Sequence, residues 1–204
     1  MSDAELDRIR TEYAARDAMG ESPYRWDNPA YVAYMQGLER ALLRALADAG
    51  IELAGASVLD VGCGTGYFLH RLREYGAGEC HGVDLAENRI EAARKRYPVL
   101  DWRIASATEL PFGDGELDLV TQFTCLSSIV DGDARLAAAR EMRRVARGSV
   151  LSFDIREASA GATPTVGLDR AELRRLFGGP TLLRRVRGLG GLPLSRSHYL
   201  AIWR

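Results

Sequence analysis

Several features that would place this chain of 204 residues in a special class are missing. Its three cysteines, Cys63, Cys80 and Cys125, are widely spaced and form no CxxC pair, so neither a zinc site nor a disulfide framework is indicated. Free thiols of this kind fit a reducing, cytoplasmic setting. No apolar run approaches the roughly 20 residues needed to span a bilayer, and the acidic first ten residues lack the apolar core of a signal peptide. A soluble protein is therefore expected, with no membrane partner. Charge of one sign is also lacking: 27 basic and 28 acidic residues leave a formal net charge of -1. That balance argues against a protein built mainly to hold nucleic acid. No internal repeat and no low-complexity linker is present.

What remains is ordinary globular composition, 47% hydrophobic and 27% charged, in a length that suits one domain with an extension. Residues 3–18 carry Leu6, Ile9 and Tyr13 at helical spacing. Ser22-Pro23 breaks this pattern. A second helix is expected from Pro29, through Leu38, Leu42 and Leu46, to Gly50, because proline suits a first turn and glycine follows a last one. Residues 1–50 thus read as a helical extension that packs over the domain as a lid, and residues 51–204 as the domain itself.

From residue 56 the pattern alternates. Strands are predicted at 57–61, 79–84, 102–105, 117–123 and 149–154, with helices between them after Gly66, at 86–96 and at 133–146. Such alternation indicates an α/β fold, a doubly wound and mostly parallel sheet with helices on both faces. The tail changes rhythm: after a helix at 169–177, extended segments at 181–186 and 198–203 flank a glycine-rich stretch and read as an antiparallel hairpin. With it the sheet has seven strands.

The chemistry concentrates at the first strand end, Val58-Leu59-Asp60-Val61-Gly62-Cys63-Gly64-Thr65-Gly66. Glycines serve where backbone must approach a ligand or adopt positive φ, and ligands of open α/β sheets bind beyond the carboxyl ends of the strands. The spacing is GxGxG, and Tyr67 stands where the dinucleotide fingerprint requires a third glycine. Asp84 closes the second strand, where an acid accepts hydrogen bonds from ribose hydroxyls or caps the next helix.

These segments resemble class I S-adenosylmethionine-dependent methyltransferases: VLDVGCGTGYF at 58–68 and GVDLAENRI at 82–90 look like that family's first two motifs, and ASATELPFGDGELDLV at 105–120 its third and fourth. The resemblance implies a Rossmann-like fold, S-adenosylmethionine as cofactor and methyl transfer as activity. It implies that Gly62 and Gly64, with Cys63 and Gly66 in the same loop, let backbone meet the methionine portion, and that Asp60 orients the cofactor's amino group. Asp84 would hold the ribose, Leu85 the adenine face, Ala107 and Thr108 the adenine edge, and Gln122 the methionine end through backbone or side chain. Ser106 stands where many relatives carry an acid, so the adenine rim loses a charge.

Methyl transfer from an activated sulfonium asks chiefly for alignment, and a base only for some acceptors. His198, at the start of the last strand, is a candidate base or a half-buried strand histidine. Asp131 faces the acceptor or caps the helix that follows. Tyr24 and Arg25, among the aromatics of 21–31, cover the pocket or staple the leader to the domain. His70 and His81 read as structural. The expected partner is a small-molecule acceptor of a methyl group on oxygen or nitrogen. Two other classes remain: a cofactor-binding protein of the same fold without methyl transfer, and a nicotinamide-dependent oxidoreductase. No metal site is expected, and the tail arginines read as solvated charge rather than a nucleic-acid surface.

Overall fold

The computed structural model describes residues 3–18, 27–158, 165–186 and 198–204. Two helices lead, α1 (Asp3–Ala18) and α2 (Pro29–Asp48). Asn28 starts α2 by accepting the Ala30 N–H at 3.0 Å, and Pro29 occupies the first turn. There follow β1 (Val58–Val61), α3 (Tyr67–Glu74), β2 (Cys80–Asp84), α4 (Glu87–Arg96), β3 (Asp101–Ile104) and β4 (Leu117–Phe123). A 3₁₀ turn at Leu126–Ser128 leads to α5 (Gly132–Val145), β5 (Ala146–Ile155), α6 (Arg170–Phe177), β6 (Leu182–Val186) and β7 (His198–Trp203).

The sheet order is β3-β2-β1-β4-β5-β7-β6. Strands β1 to β5 pair in parallel, and β7 lies antiparallel between β5 and β6. The expected hairpin is therefore present, with its second strand inserted next to β5. Strand β5 begins three residues earlier than the sequence pattern suggests, because Ala146 pairs with Leu117 ahead of a register shift.

Two cores form, one on each face. Leu38, Leu42 and Leu46 of α2 pack with Leu69 and Leu72 of α3 and Ile90 of α4. Ala138 and Met142 of α5 and Leu173 of α6 fill the other face, joined by Ile9 of α1. Burying a leucine of this kind contributes roughly 1.5–3 kcal/mol. The chain order reverses between β1 and β4, so their carboxyl ends frame the crevice where such sheets take ligands. Helix α1 reaches the same edge: Arg8 donates to the Ser128 carbonyl at 2.8 Å, and Glu5 accepts the Val130 N–H at 2.9 Å.

Candidate functional site

Strand β1 delivers Asp60 to the crevice, and the chain then turns through Gly62, Gly64 and Gly66, all at positive φ. Two of these positions admit no side chain. A Cβ on Gly62 would lie 2.6 Å from Cys125 Sγ, and one on Gly66 would lie 2.3 Å from the Trp102 ring. Four of the loop's amides are satisfied within the protein. Gly62 and Cys63 both donate to the Val83 carbonyl, at 2.8 and 3.0 Å, and Gly66 donates to the Cys63 carbonyl at 3.0 Å. Gly64 donates to Asp84 Oδ2 at 2.8 Å.

A loop that cradles a phosphate must aim free N–H groups at it. Here those four amides are engaged inside the protein and carboxylates flank the turn instead. The donor set suits a cation rather than a pyrophosphate, which speaks against the oxidoreductase reading.

Asp84 Oδ1 accepts the Ala86 N–H at 2.9 Å just ahead of α4, while Oδ2 fixes the glycine loop. Each carboxylate oxygen retains acceptor capacity for a ribose hydroxyl. Asp60 is 2% exposed, and Thr121 Oγ1 donates to its Oδ1 at 2.9 Å. Burial pushes the Asp60 carboxyl up to about 7, with the charge of Asp84 adding to the effect. Burial also raises Asp84 against its three backbone hydrogen bonds and the nearby Arg89. The thiols of Cys63 and Cys125 are raised for the same reasons, burial first and then the neighbouring carboxylates. A positively charged ligand in this crevice would favour ionised Asp60 and Asp84.

With that geometry in view, residues 58–149 match the family of methyltransferase domains. That stretch reads as a methyltransferase domain. Curated relatives include a malonyl-[acyl-carrier protein] O-methyltransferase of Serratia marcescens, 34% identical over 122 residues, which cover 57% of this chain and 44% of that one. Another is a 2-phytyl-1,4-naphtoquinone methyltransferase of Trichormus variabilis, 33% identical over 111 residues, 48% of this chain and 47% of that one. The chain thus spans less than half the length of these relatives. Among solved structures, the magnesium protoporphyrin IX methyltransferase of Synechocystis with bound S-adenosylmethionine superposes with a TM-score of 0.67 at 18% identity, covering 99% and 92% of the two chains. An S-adenosylmethionine-dependent methyltransferase from Mesorhizobium loti gives 0.62 at 16% identity, covering 80% and 98%. These likenesses carry the fold.

Within the methyltransferase domain, Asp60, Gly62, Gly64, Asp84 and Leu85 meet at one crevice, with 105–108 beside them through the Ala105 N–H to Asp84 carbonyl bond of 3.1 Å. Ser106 turns its hydroxyl to Thr108, sharing a 2.8 Å contact with that hydroxyl and accepting the Thr108 N–H at 3.2 Å. The crevice rim is uncharged at Ser106. The Cys63 side chain packs into the α3/α4 core, 3.0 Å from where a Gly82 Cβ would stand, and only its backbone belongs to the loop.

Two expectations that left alternatives open are narrowed. The Gln122 side chain is wholly buried and spent on its own turn, accepting the Cys125 N–H at 2.8 Å, so only its backbone borders the crevice. Asp131 caps α5, accepting the Asp133 and Ala134 N–H groups with one oxygen at 2.8 and 2.9 Å. A carboxylate in that use serves the helix.

His198 does start β7 at the carboxyl edge, opposite Ile155, but its ring is 6% exposed and stacks on Phe153 at 4.8 Å. His81 bonds Asp101 at 2.9 Å and His70 stacks on Tyr97, both in structural settings. Of the tail arginines, Arg170, Arg174, Arg175, Arg184 and Arg185 are exposed, and Arg175 and Arg184 pair with Glu172 and Asp48. Tyr24, Arg25 and Arg187 lie outside the described residues.

Sequence reasoning passed over Thr121 and Asp154. The signal was there: each is a polar residue beside apolar ones near the carboxyl end of a central strand, where a buried polar group requires a partner. Tyr67 was read only as an absent glycine. Its hydroxyl bonds Glu39 of α2, which also takes the Tyr75 hydroxyl at 2.8 Å and Arg71 Nε at 3.1 Å, tying the leader to the start of α3.

Proposed function

We propose that this chain transfers a methyl group from S-adenosylmethionine to an oxygen or nitrogen of a small-molecule acceptor. One observation carries this reading: a glycine loop with inward-satisfied amides, flanked by the buried carboxylate Asp60 and the half-buried Asp84, at the reversal point of the sheet. The cofactor, when bound, supplies a methyl group on a positively charged sulfur, so the leaving group is already activated.

The residues then bind and align. Asp60 takes the amino group and Asp84 the ribose hydroxyls, with Leu85, Ala107 and Thr108 around the adenine. Backbone at Gly62, Gly64 and Gln122 borders the methionine end. His198 is the base for a hydroxyl or ammonium acceptor, and sits at the correct edge for it. Residues 1–50 serve as the lid over residues 51–204, consistent with the Glu5 and Arg8 contacts to 128–131. Among the described residues no helix is long and apolar enough to cross a membrane, and Cys63, Cys80 and Cys125 are free thiols. We place the protein in the cytoplasm, acting on neither membrane nor nucleic acid. One relative is named a malonyl-[acyl-carrier protein] O-methyltransferase, in keeping with transfer to oxygen.

The test is incubation with methyl-labelled cofactor and a panel of hydroxyl, carboxyl and amine acceptors. Label on a small molecule is expected, with His198→Gln slowing the reaction roughly 10²-fold or more. Binding of the cofactor without any labelled product across the panel would favour the cofactor-binding protein instead.

A further inference from the structure

Two polar side chains lie buried beneath the turn that follows β4. Gln122 is 0% exposed and Asp154 1%. Gln122 Oε1 accepts the N–H groups of Cys125 and Leu126, at 2.8 and 3.3 Å, while its Nε2 donates to Ser152 Oγ. Asp154 Oδ2 accepts the Ser127 N–H at 3.1 Å, and Oδ1 the Ile155 N–H at 2.8 Å. Three consecutive amides are therefore held from below by side chains of two adjacent strands.

The turn they hold is strained. Thr124 has φ 58°, a left-handed conformation that is an outlier for a β-branched residue. Such strain persists only where surrounding contacts over-determine it. Thr124 N–H is fixed on the Phe153 carbonyl at 2.8 Å, and its carbonyl takes the Ser128 hydroxyl at 3.2 Å. The result presses Cys125 onto Gly62 so closely that a methyl group on Gly62 would sit 2.6 Å from the sulfur. Buried polar groups are costly unless paired, and here one oxygen of each side chain is spent on the turn while the other polar atom is held within β5.

We propose that Gln122 and Asp154 are positioning residues. They clamp the turn Thr124–Ser128 against the glycine loop, and the clamped turn is the wall where the cofactor's methionine end meets the acceptor. This rests on the methyl-transfer reading. Asp84 and 105–108, over β2 and β3, lie on the far side of β1 from this wall, so loosening the clamp acts on one end of the ligand.

Calorimetry on Gln122→Met and Asp154→Ala with two probes tests it: S-adenosylhomocysteine, and 5′-methylthioadenosine, which lacks the amino-acid portion. The expected result is about a tenfold or greater loss for S-adenosylhomocysteine and less than a twofold change for 5′-methylthioadenosine. Equal losses for both probes would mean general damage and overturn the proposal, as would no loss for either. Thr124→Gly guards against variants that fail to fold: it relieves strain, so the melting temperature should hold or rise while S-adenosylhomocysteine affinity falls. Unchanged affinity there would also overturn the proposal. If the wild-type protein bound neither probe, the cofactor reading itself would have failed.

Discussion

The two rims of the crevice are built by opposite means. Over β1 and β2, the backbone itself is unusual: three glycines at positive φ, with no space for a side chain at Gly62 or Gly66. Over β4 and β5, the unusual backbone is carried by a threonine, and buried side chains from both strands restrain it. One rim is specified by what residues lack, the other by where ordinary polar groups are sent. The glycine rim also collects acid, whereas the turn beyond β4 offers the surface that α1 grips.

The harshest way to break this contrast is to put a side chain where the rims touch. Gly62→Ala adds a Cβ at φ +70° and against Cys125. We expect a loss of about 2–4 kcal/mol in stability, read by denaturant unfolding, and loss of measurable cofactor binding. Adding Cys125→Gly should recover part of the stability, since the two positions share the contact. Strict additivity of the two changes would show that the rims do not press on each other.

A gentler break uses pH. Asp60 is raised from 3.8 to about 7, and Asp154 to about 6, both mainly by burial. The folded state then holds protons that the unfolded chain releases, so stability falls as pH rises from about 4 to 7 and levels off above. Carboxylates lowered by their partners, such as Glu172 at about 2, act in the opposite sense but below that window. Thermal unfolding without ligand should therefore show a decline of roughly 1–4 kcal/mol between pH 5 and pH 8, and Asp60→Asn should flatten much of it. A wild-type profile that rose with pH across this range would contradict the burial account.

The smallest effect concerns the leader. Glu5→Ala removes acceptors from Val130 and Asp131 and a partner from Arg8. About 0.5–1.5 kcal/mol should be lost locally, seen as faster amide exchange in α1 and at Val130, with global unfolding little changed. Exchange that stayed slow in both places would show that α1 is held by other contacts.

The same contrast explains what the sequence made legible. The glycine rim was readable because glycine at fixed spacing after an apolar strand marks backbone need, and Asp84 marks its partner. The alternation of strands and helices gave the sheet for a similar reason, since periodicity records which face is buried. The rim beyond β4 was less readable. Gln122, Thr124 and Asp154 are common residues whose roles depend on neighbours some 30 positions away in β5, which no local pattern records. For Asp131 and Gln122 the sequence left two roles open, and the hydrogen bonds to nearby backbone decide how each side chain is used. His198 was placed correctly by topology alone, while its depth came from Phe153 on the neighbouring strand.

The central claim is that the glycine rim, organised by Asp84, holds the cofactor. Calorimetric titration of S-adenosylhomocysteine into the wild-type protein and Asp84→Ala tests it most directly. Asp84 fixes the Gly64 amide and, in the proposed reading, takes the ribose hydroxyls, so its removal should weaken binding by about 2–4 kcal/mol, roughly 30-fold to 1,000-fold. Affinity within twofold of the wild type would place the ligand elsewhere on the molecule.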